Sequence, residues 1–281
     1  MKGYIISDGF KLQYLVEGEG IPTIVVGSSI YYPRTFSKEL RSQLKIAFID
    51  HRGFAPKNNC QNKDKYKLNL LVDDIELFRE ELDFDQFIMI GHSGHAFIAL
   101  EYANKYRDRV SHLVLIGAAP DFSDAGNKAA EQYLSDSVCP ERKALLARNI
   151  DRLTEEIAAA SNKRAFVTYC LLMAPKSWYD YNYDGKALWE DVEVNMTMFD
   201  FVWGEVFRDI DITKNLELLK APVFLALGRY DYLIPPFYLW NNIREKFTDI
   251  TICIFEKSSH TPQFEEPRLF DGELLEWILR S

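Results

Sequence analysis

The sequence has no C-x-x-C pair and no Cys/His cluster at metal-ligand spacing. Its four cysteines, Cys60, Cys139, Cys170 and Cys253, are scattered along 281 residues. That excludes a zinc ribbon or a thioredoxin-like redox centre and predicts unpaired, mostly core thiols. No apolar run reaches the ~18–20 residues that cross a bilayer. The opening, Met1-Lys2-Gly3-Tyr4-Ile5-Ile6-Ser7-Asp8-Gly9, turns polar too soon for a secretory signal. There is no long basic run either: 33 Lys and Arg stand against 42 Asp and Glu, a formal charge of −9. Such a chain lacks a footprint for nucleic-acid phosphates or an anionic lipid surface. The expectation is a cytoplasmic protein acting on a small molecule, with no nucleic-acid or membrane partner.

What is present is a core. Hydrophobic residues make up 47% of the chain, an ordinary globular share, and the length allows one or two domains. Tyr4–Ser7 and Lys11–Val16 are short extended runs, and Asp8-Gly9 between them signals a hairpin turn. Thr23-Ile24-Val25-Val26, ending in Gly27, is apolar on both faces, as strands inside parallel sheets are. Similar runs recur at Lys45–Ile49, Phe87–Ile90, Leu113–Ile116, Val223–Leu227 and Thr251–Phe255. Helical periods separate them: Leu70, Leu71, Ile75, Phe78 and Leu82; Ala96, Ala99, Leu100 and Ala103; Leu269, Leu274, Leu275 and Ile278. Alternation of this kind predicts an α/β protein with a mostly parallel sheet. The rhythm stops after Pro120 and resumes at Ala221-Pro222-Val223. The expected organisation is a core in two parts, 1–120 and 212–281, with a helical insert at 121–211 rich in aromatics.

The sharpest chemical signal is Gly91-His92-Ser93-Gly94-His95, set between the strand Phe87–Ile90 and an Ala-rich helix. A serine flanked by small residues at a strand-to-helix turn is the nucleophile-elbow pattern. Such a turn exposes the hydroxyl at the carboxyl edge of the sheet, where open α/β sheets bind ligands. A serine hydroxyl needs a base. Of the five histidines, His92 and His95 flank the elbow and are expected to aim away from the Ser93 hydroxyl, while His112 opens a strand and reads as structural. His260 follows the last strand, in Ser258-Ser259-His260-Thr261, and so reaches the same edge. The acid that orients it should also lie there. Asp231, in Gly228-Arg229-Tyr230-Asp231, follows Val223–Leu227; Asp121, after Leu113–Ile116, is the competing acid.

These motifs resemble the α/β-hydrolase fold, closest in style to the proline iminopeptidase-like group with a helical cap. Five segments carry the likeness: Val25-Val26-Gly27-Ser28-Ser29, Asp50-His51-Arg52-Gly53, Gly91–His95, Gly228–Asp231 and Ser259-His260. The resemblance implies an eight-stranded, mostly parallel sheet flanked by helices, and the order Ser93, Asp231, His260 is the one that fold uses. It also implies an oxyanion hole from the backbone N–H groups of Ser29 and Gly94. The Asp-x-Arg-Gly turn is structural in that group, so His51 is not counted as catalytic. Gly27 stands where the group usually has histidine, and His95 where it has a small residue. A serine nucleophile sets the chain apart from the haloalkane dehalogenases, which use aspartate.

The expected activity is cleavage of a small ester or amide through an acyl-enzyme, with no metal or organic cofactor. The insert should roof Ser93, with at least two of Trp178, Trp189, Phe199 and Trp203 lining the cavity. Two other readings have specific signatures. An aminopeptidase of the proline iminopeptidase type needs acidic cap residues for a free amine, and Glu190, Glu193 and Glu205 are candidates. A non-catalytic binding protein on the same fold would keep the cavity without a working triad.

Overall fold

The computed structural model describes residues 1–281. Asp8 and Gly9 both take positive φ, 49° and 86°, the turn geometry that matches the twist of a two-residue hairpin. Strands β1 (Lys2–Ser7) and β2 (Phe10–Glu17) therefore pair antiparallel. Their side chains alternate between water and core, as in a sheet edge with one face covered.

The other six strands run parallel: β3 (Ile21–Gly27), β4 (Leu44–Asp50), β5 (Phe87–His92), β6 (Val110–Ile116), β7 (Val223–Gly228) and β8 (Ile250–Phe255). The order across the sheet is β1-β2-β4-β3-β5-β6-β7-β8. Every residue of β5 and β7 is buried, as their unbroken apolar runs predict. β8 has a similar composition but lies at the edge, and only Phe255 in it is fully buried. Composition alone does not separate a central strand from an edge strand whose faces are covered.

Helices α1 (Lys38–Gln43), α2 (Leu68–Glu81) and α3 (His95–Lys105) lie between the first six strands. Leu71, Val72, Ile75 and Phe78 form the buried stripe of α2. Between β6 and β7 come α4 (Asp124–Ser135), α5 (Pro140–Ala159), α6 (Ala165–Leu172), α7 (Ala174–Ser177) and α8 (Met196–Phe201), with no strand. α8 runs on into a π-helical turn over Val202–Val206. The chain closes with α9 (Pro262–Glu265) and α10 (Pro267–Arg280). In α10, Leu274 and Ile278 are buried, whereas Leu269 faces solvent. One cluster of 70 buried apolar residues joins sheet and insert, including Trp178, Met198, Phe199 and Phe207.

Chain order turns around at β3, which has β4 on one side and β5 on the other. Loops leaving β3 and β5 diverge there and open a crevice at the carboxyl edge, the usual ligand position in such sheets. The two loops are Ser28–Tyr31 and Ser93-Gly94.

Candidate active site

Ser93 holds φ at +57°, a left-handed conformation that costs a non-glycine residue about 1–3 kcal/mol. Two backbone bonds pin it: its N–H donates to Ile116 O at 2.8 Å, and its carbonyl accepts from Ala96 N–H at 2.9 Å. The eleven-residue α3 starts at His95, so its positive N-terminal end faces the serine. A Cβ on Gly94 would lie 2.3 Å from Trp203 Nε1. Glycine at that position is what lets the indole pack against the elbow.

His260 and Asp231 meet on neighbouring loops, after β8 and β7. His260 Nδ1 donates to Asp231 Oδ2 at 2.7 Å, and both residues are buried. Asp231 Oδ1 also accepts the Leu233 N–H at 2.9 Å, an Asx turn that fixes the carboxylate plane. Asp121 does not reach the ring; its Oδ1 accepts the Ser123 N–H at 2.8 Å at the start of α4. Ser93 and His260 line the same cavity, but no hydrogen bond joins the Ser93 hydroxyl to the imidazole. Such bonds are often long before substrate closes a site.

A residue that sequence reasoning missed braces the His260 loop. Glu265 Oε2 accepts the N–H of Ser259 at 2.9 Å and of Thr261 at 3.2 Å, on either side of His260. Its other oxygen accepts the Tyr179 N–H at 2.6 Å. Burial pushes this carboxyl up to about 7, against the pull of the three amides. The insert grips the same loops: His260 N–H donates to Ser177 O at 3.1 Å, and Tyr232 N–H to Lys176 O at 3.1 Å. The only sequence signal for Glu265 was an acid five residues after the histidine, too common to single out.

The expected oxyanion donor Ser29 needs correction. Its N–H already donates to Asp50 Oδ1 at 2.6 Å, so it is not free for a substrate oxygen. Asp50 is buried at the end of β4, and burial lifts its carboxyl to about 7. The preceding residue, Ser28, lines the cavity beside Ser93 and Gly94. Neither the Ser28 nor the Gly94 amide donates to a protein acceptor. The discrepancy is one residue of register in a turn that contains Gly27 at φ 145°.

The cavity has a volume of about 260 Å³. Trp178, Trp189 and Trp203 line it. Phe199 does not; it lies behind, stacked on Trp203 with ring centroids 4.4 Å apart. No Asp, Glu, Lys or Arg lines the cavity. Glu190, Glu193 and Glu205 are all exposed. Lys163 pairs with Glu193 at 2.9 Å and Lys63 with Glu205 at 2.5 Å.

Comparison with known proteins agrees with this architecture. Residues 19–267 match the family model described as the alpha/beta hydrolase fold. The chain belongs to that family. The AB hydrolase superfamily protein YclE of Bacillus subtilis is 39% identical over 98% of each chain. The proline iminopeptidase PfmaB of Pestalotiopsis fici is 26% identical over 95% of each. Among solved structures, a proline iminopeptidase from Mycobacterium smegmatis superposes with a TM-score of 0.76 at 16% identity, covering 100% of this chain and 98% of that one. The protein is a hydrolase.

In this hydrolase the two departures from the family pattern are neighbours in space. A Cβ on Gly27 would lie 2.3 Å from the Tyr32 ring and 3.1 Å from His95. The room usually taken by a side chain after β3 is thus filled by Tyr32 and His95. Neither His92 nor His95 bonds to the Ser93 hydroxyl; both bond to Tyr32 instead. His51 Nε2 meets His95 Nε2 at 2.9 Å, while Arg52 is locked to Asp74 at 2.7 Å. His112 packs on Trp277, away from the cavity. The four cysteines are free and half-buried, less enclosed than the core positions expected of them. No helix is long and apolar enough to cross a membrane.

Proposed function

We propose that this hydrolase cleaves small esters of an uncharged, apolar acid through an acyl-enzyme on Ser93. Ser93 Oγ attacks the carbonyl carbon and its proton passes to His260 Nε2. Asp231 holds the opposite ring proton and stabilises the imidazolium. The tetrahedral oxygen takes the N–H groups of Ser28 and Gly94, each such donor being worth about 3–4 kcal/mol in acyl transfer. Collapse breaks the ester bond, and the leaving alkoxide recovers the proton from His260. A water that gives its proton to His260 then attacks the acyl carbon, and the acid departs as Ser93 regains its hydrogen.

The segment 121–211 acts in this reading as a cap. Trp178, Trp189 and Trp203 form the acyl wall and keep bulk water from the carbonyl, which strengthens the oxyanion contacts. The observation that carries the choice of substrate is the uncharged lining. A free ammonium in this cavity would be desolvated without a carboxylate partner, at a cost of several kcal/mol. That disfavours the aminopeptidase alternative, although relatives with that name share the fold. A cavity of about 150 Å³ already holds benzene, so about 260 Å³ has room for a small acyl group or a substituted ring.

The test is a panel of 4-nitrophenyl esters, from acetyl to octanoyl and benzoyl, beside proline 4-nitroanilide and its N-acetyl form. Neutral short acyl or benzoyl esters should give the highest kcat/KM, at least about a hundredfold above the free-amine substrate. Preference for the free amine over its N-acetyl form would contradict the reading.

A further inference from the structure

We propose that Tyr32, His92, His95 and His51 form a one-way hydrogen-bond relay that positions His260 against Ser93. Its role rests on the acyl-enzyme reading above; its direction does not, because backbone groups fix both ends. At one end, His92 Nε2 lies 2.8 Å from the His260 carbonyl oxygen, which can only accept. His92 therefore carries its proton on Nε2, and Nδ1 of the neutral ring accepts. The Tyr32 hydroxyl, 3.3 Å away, donates there; its approach to the His92 carbonyl is longer, at 3.5 Å. The Tyr32 oxygen then accepts from His95 Nδ1 at 2.8 Å. The same His95 proton faces the His92 carbonyl at 3.2 Å, which again requires a donor.

The other end gives the same answer. The Gly53 N–H can only donate, and it meets His51 Nδ1 at 3.0 Å. His51 thus carries its proton on Nε2 and donates to His95 Nε2 at 2.9 Å. Each proton is placed once, and every ring is neutral. A second proton on His51 or His95 would point two donors at each other, and one on His92 would oppose the tyrosine. Burial pushes all three imidazoles down, His95 to about 3, in keeping with neutral rings.

Tyr32 is the hub. Its backbone N–H donates to Ser28 O at 3.2 Å, which ties the oxyanion turn to the relay. His92 directly precedes Ser93, so its bond to the His260 carbonyl links the base loop to the nucleophile's own strand. Glu265 and Ser177 hold that loop from the other side. To those braces the relay adds a direct tie between the His260 loop and the elbow.

The experiment compares wild type with Tyr32→Phe, which deletes one buried hydroxyl, and His92→Phe, which keeps a ring but loses the donor. Long-range ¹⁵N NMR of the wild-type histidines should show protons on His51 Nε2, His95 Nδ1 and His92 Nε2, with no titration of these rings from pH 6 to 8. On a 4-nitrophenyl ester, both variants should lose about tenfold or more in kcat, as misplaced reacting groups do, with KM within twofold and far-ultraviolet circular dichroism unchanged. A different proton pattern overturns the relay. Wild-type kcat in a folded Tyr32→Phe variant overturns its positioning role, and so does wild-type kcat in a folded His92→Phe should Tyr32→Phe not fold. If wild type neither turns over the esters nor reacts with a fluorophosphonate, the acyl-enzyme reading fails and the positioning role falls with it; the NMR pattern then decides the direction alone.

Discussion

Ser93 keeps its place at a cost. Its φ of +57° suits glycine better than serine. Ser93→Ala should abolish ester turnover with little change in stability, because it removes one hydroxyl and keeps the strain. Ser93→Gly should also be inactive but more stable than Ser93→Ala by about 1 kcal/mol, since glycine relaxes the left-handed turn. Urea unfolding of the two variants checks this; equal midpoints would mean that the elbow is unstrained. Ser29 departs from its expected place as an oxyanion donor because its N–H is already taken by Asp50. That bond to a buried carboxyl joins two separate segments, a contact that no pattern in the chain makes visible.

Among the elements, the strands were the most legible, because an apolar run on both faces has few other uses. Asp231 and His260 followed from that, since a loop after a parallel strand must emerge at one edge of the sheet. The insert was legible only as helical. Its aromatics have no strand register to sort those facing the cavity from those behind, and Phe199, stacked on Trp203, carries the same sequence signal as its neighbour in the cavity wall. The braces between elements were not legible at all. Glu265 reaches from α9 to two amides around His260 and to one in the insert. Glu265→Gln replaces an accepting oxygen by an amide donor facing N–H groups. It should lower kcat by about tenfold or more and reduce the melting temperature, with KM nearly unchanged. A variant with wild-type kcat would show that the loop holds His260 without this carboxylate.

For the whole molecule, burial of ionisable groups makes stability depend on pH. Asp50 is lifted to about 7 in the folded protein, against roughly 3.9 for a free aspartate. Between those values the folded state holds a proton that the unfolded chain has lost. Its stabilising effect is complete below about pH 4 and is lost as pH rises towards 7. Asp50→Asn removes that dependence. Its stability relative to wild type should rise by about 1.4 kcal/mol per pH unit from 4 to 7, whatever the constant offset from the substitution. Denaturant titrations at three pH values give the slope, and a flat difference would show that Asp50 is already ionised when folded.

If Ser93 is the nucleophile that carries the acyl group, a serine-directed phosphonate should react there and nowhere else. Reaction with a fluorophosphonate, followed by mass spectrometry of the intact chain and of its peptides, tests it most directly. One adduct per chain is expected, on Ser93, absent in Ser93→Ala and formed at least about a hundredfold more slowly in His260→Ala. An unlabelled wild-type protein, or an adduct that persists in Ser93→Ala, would contradict it.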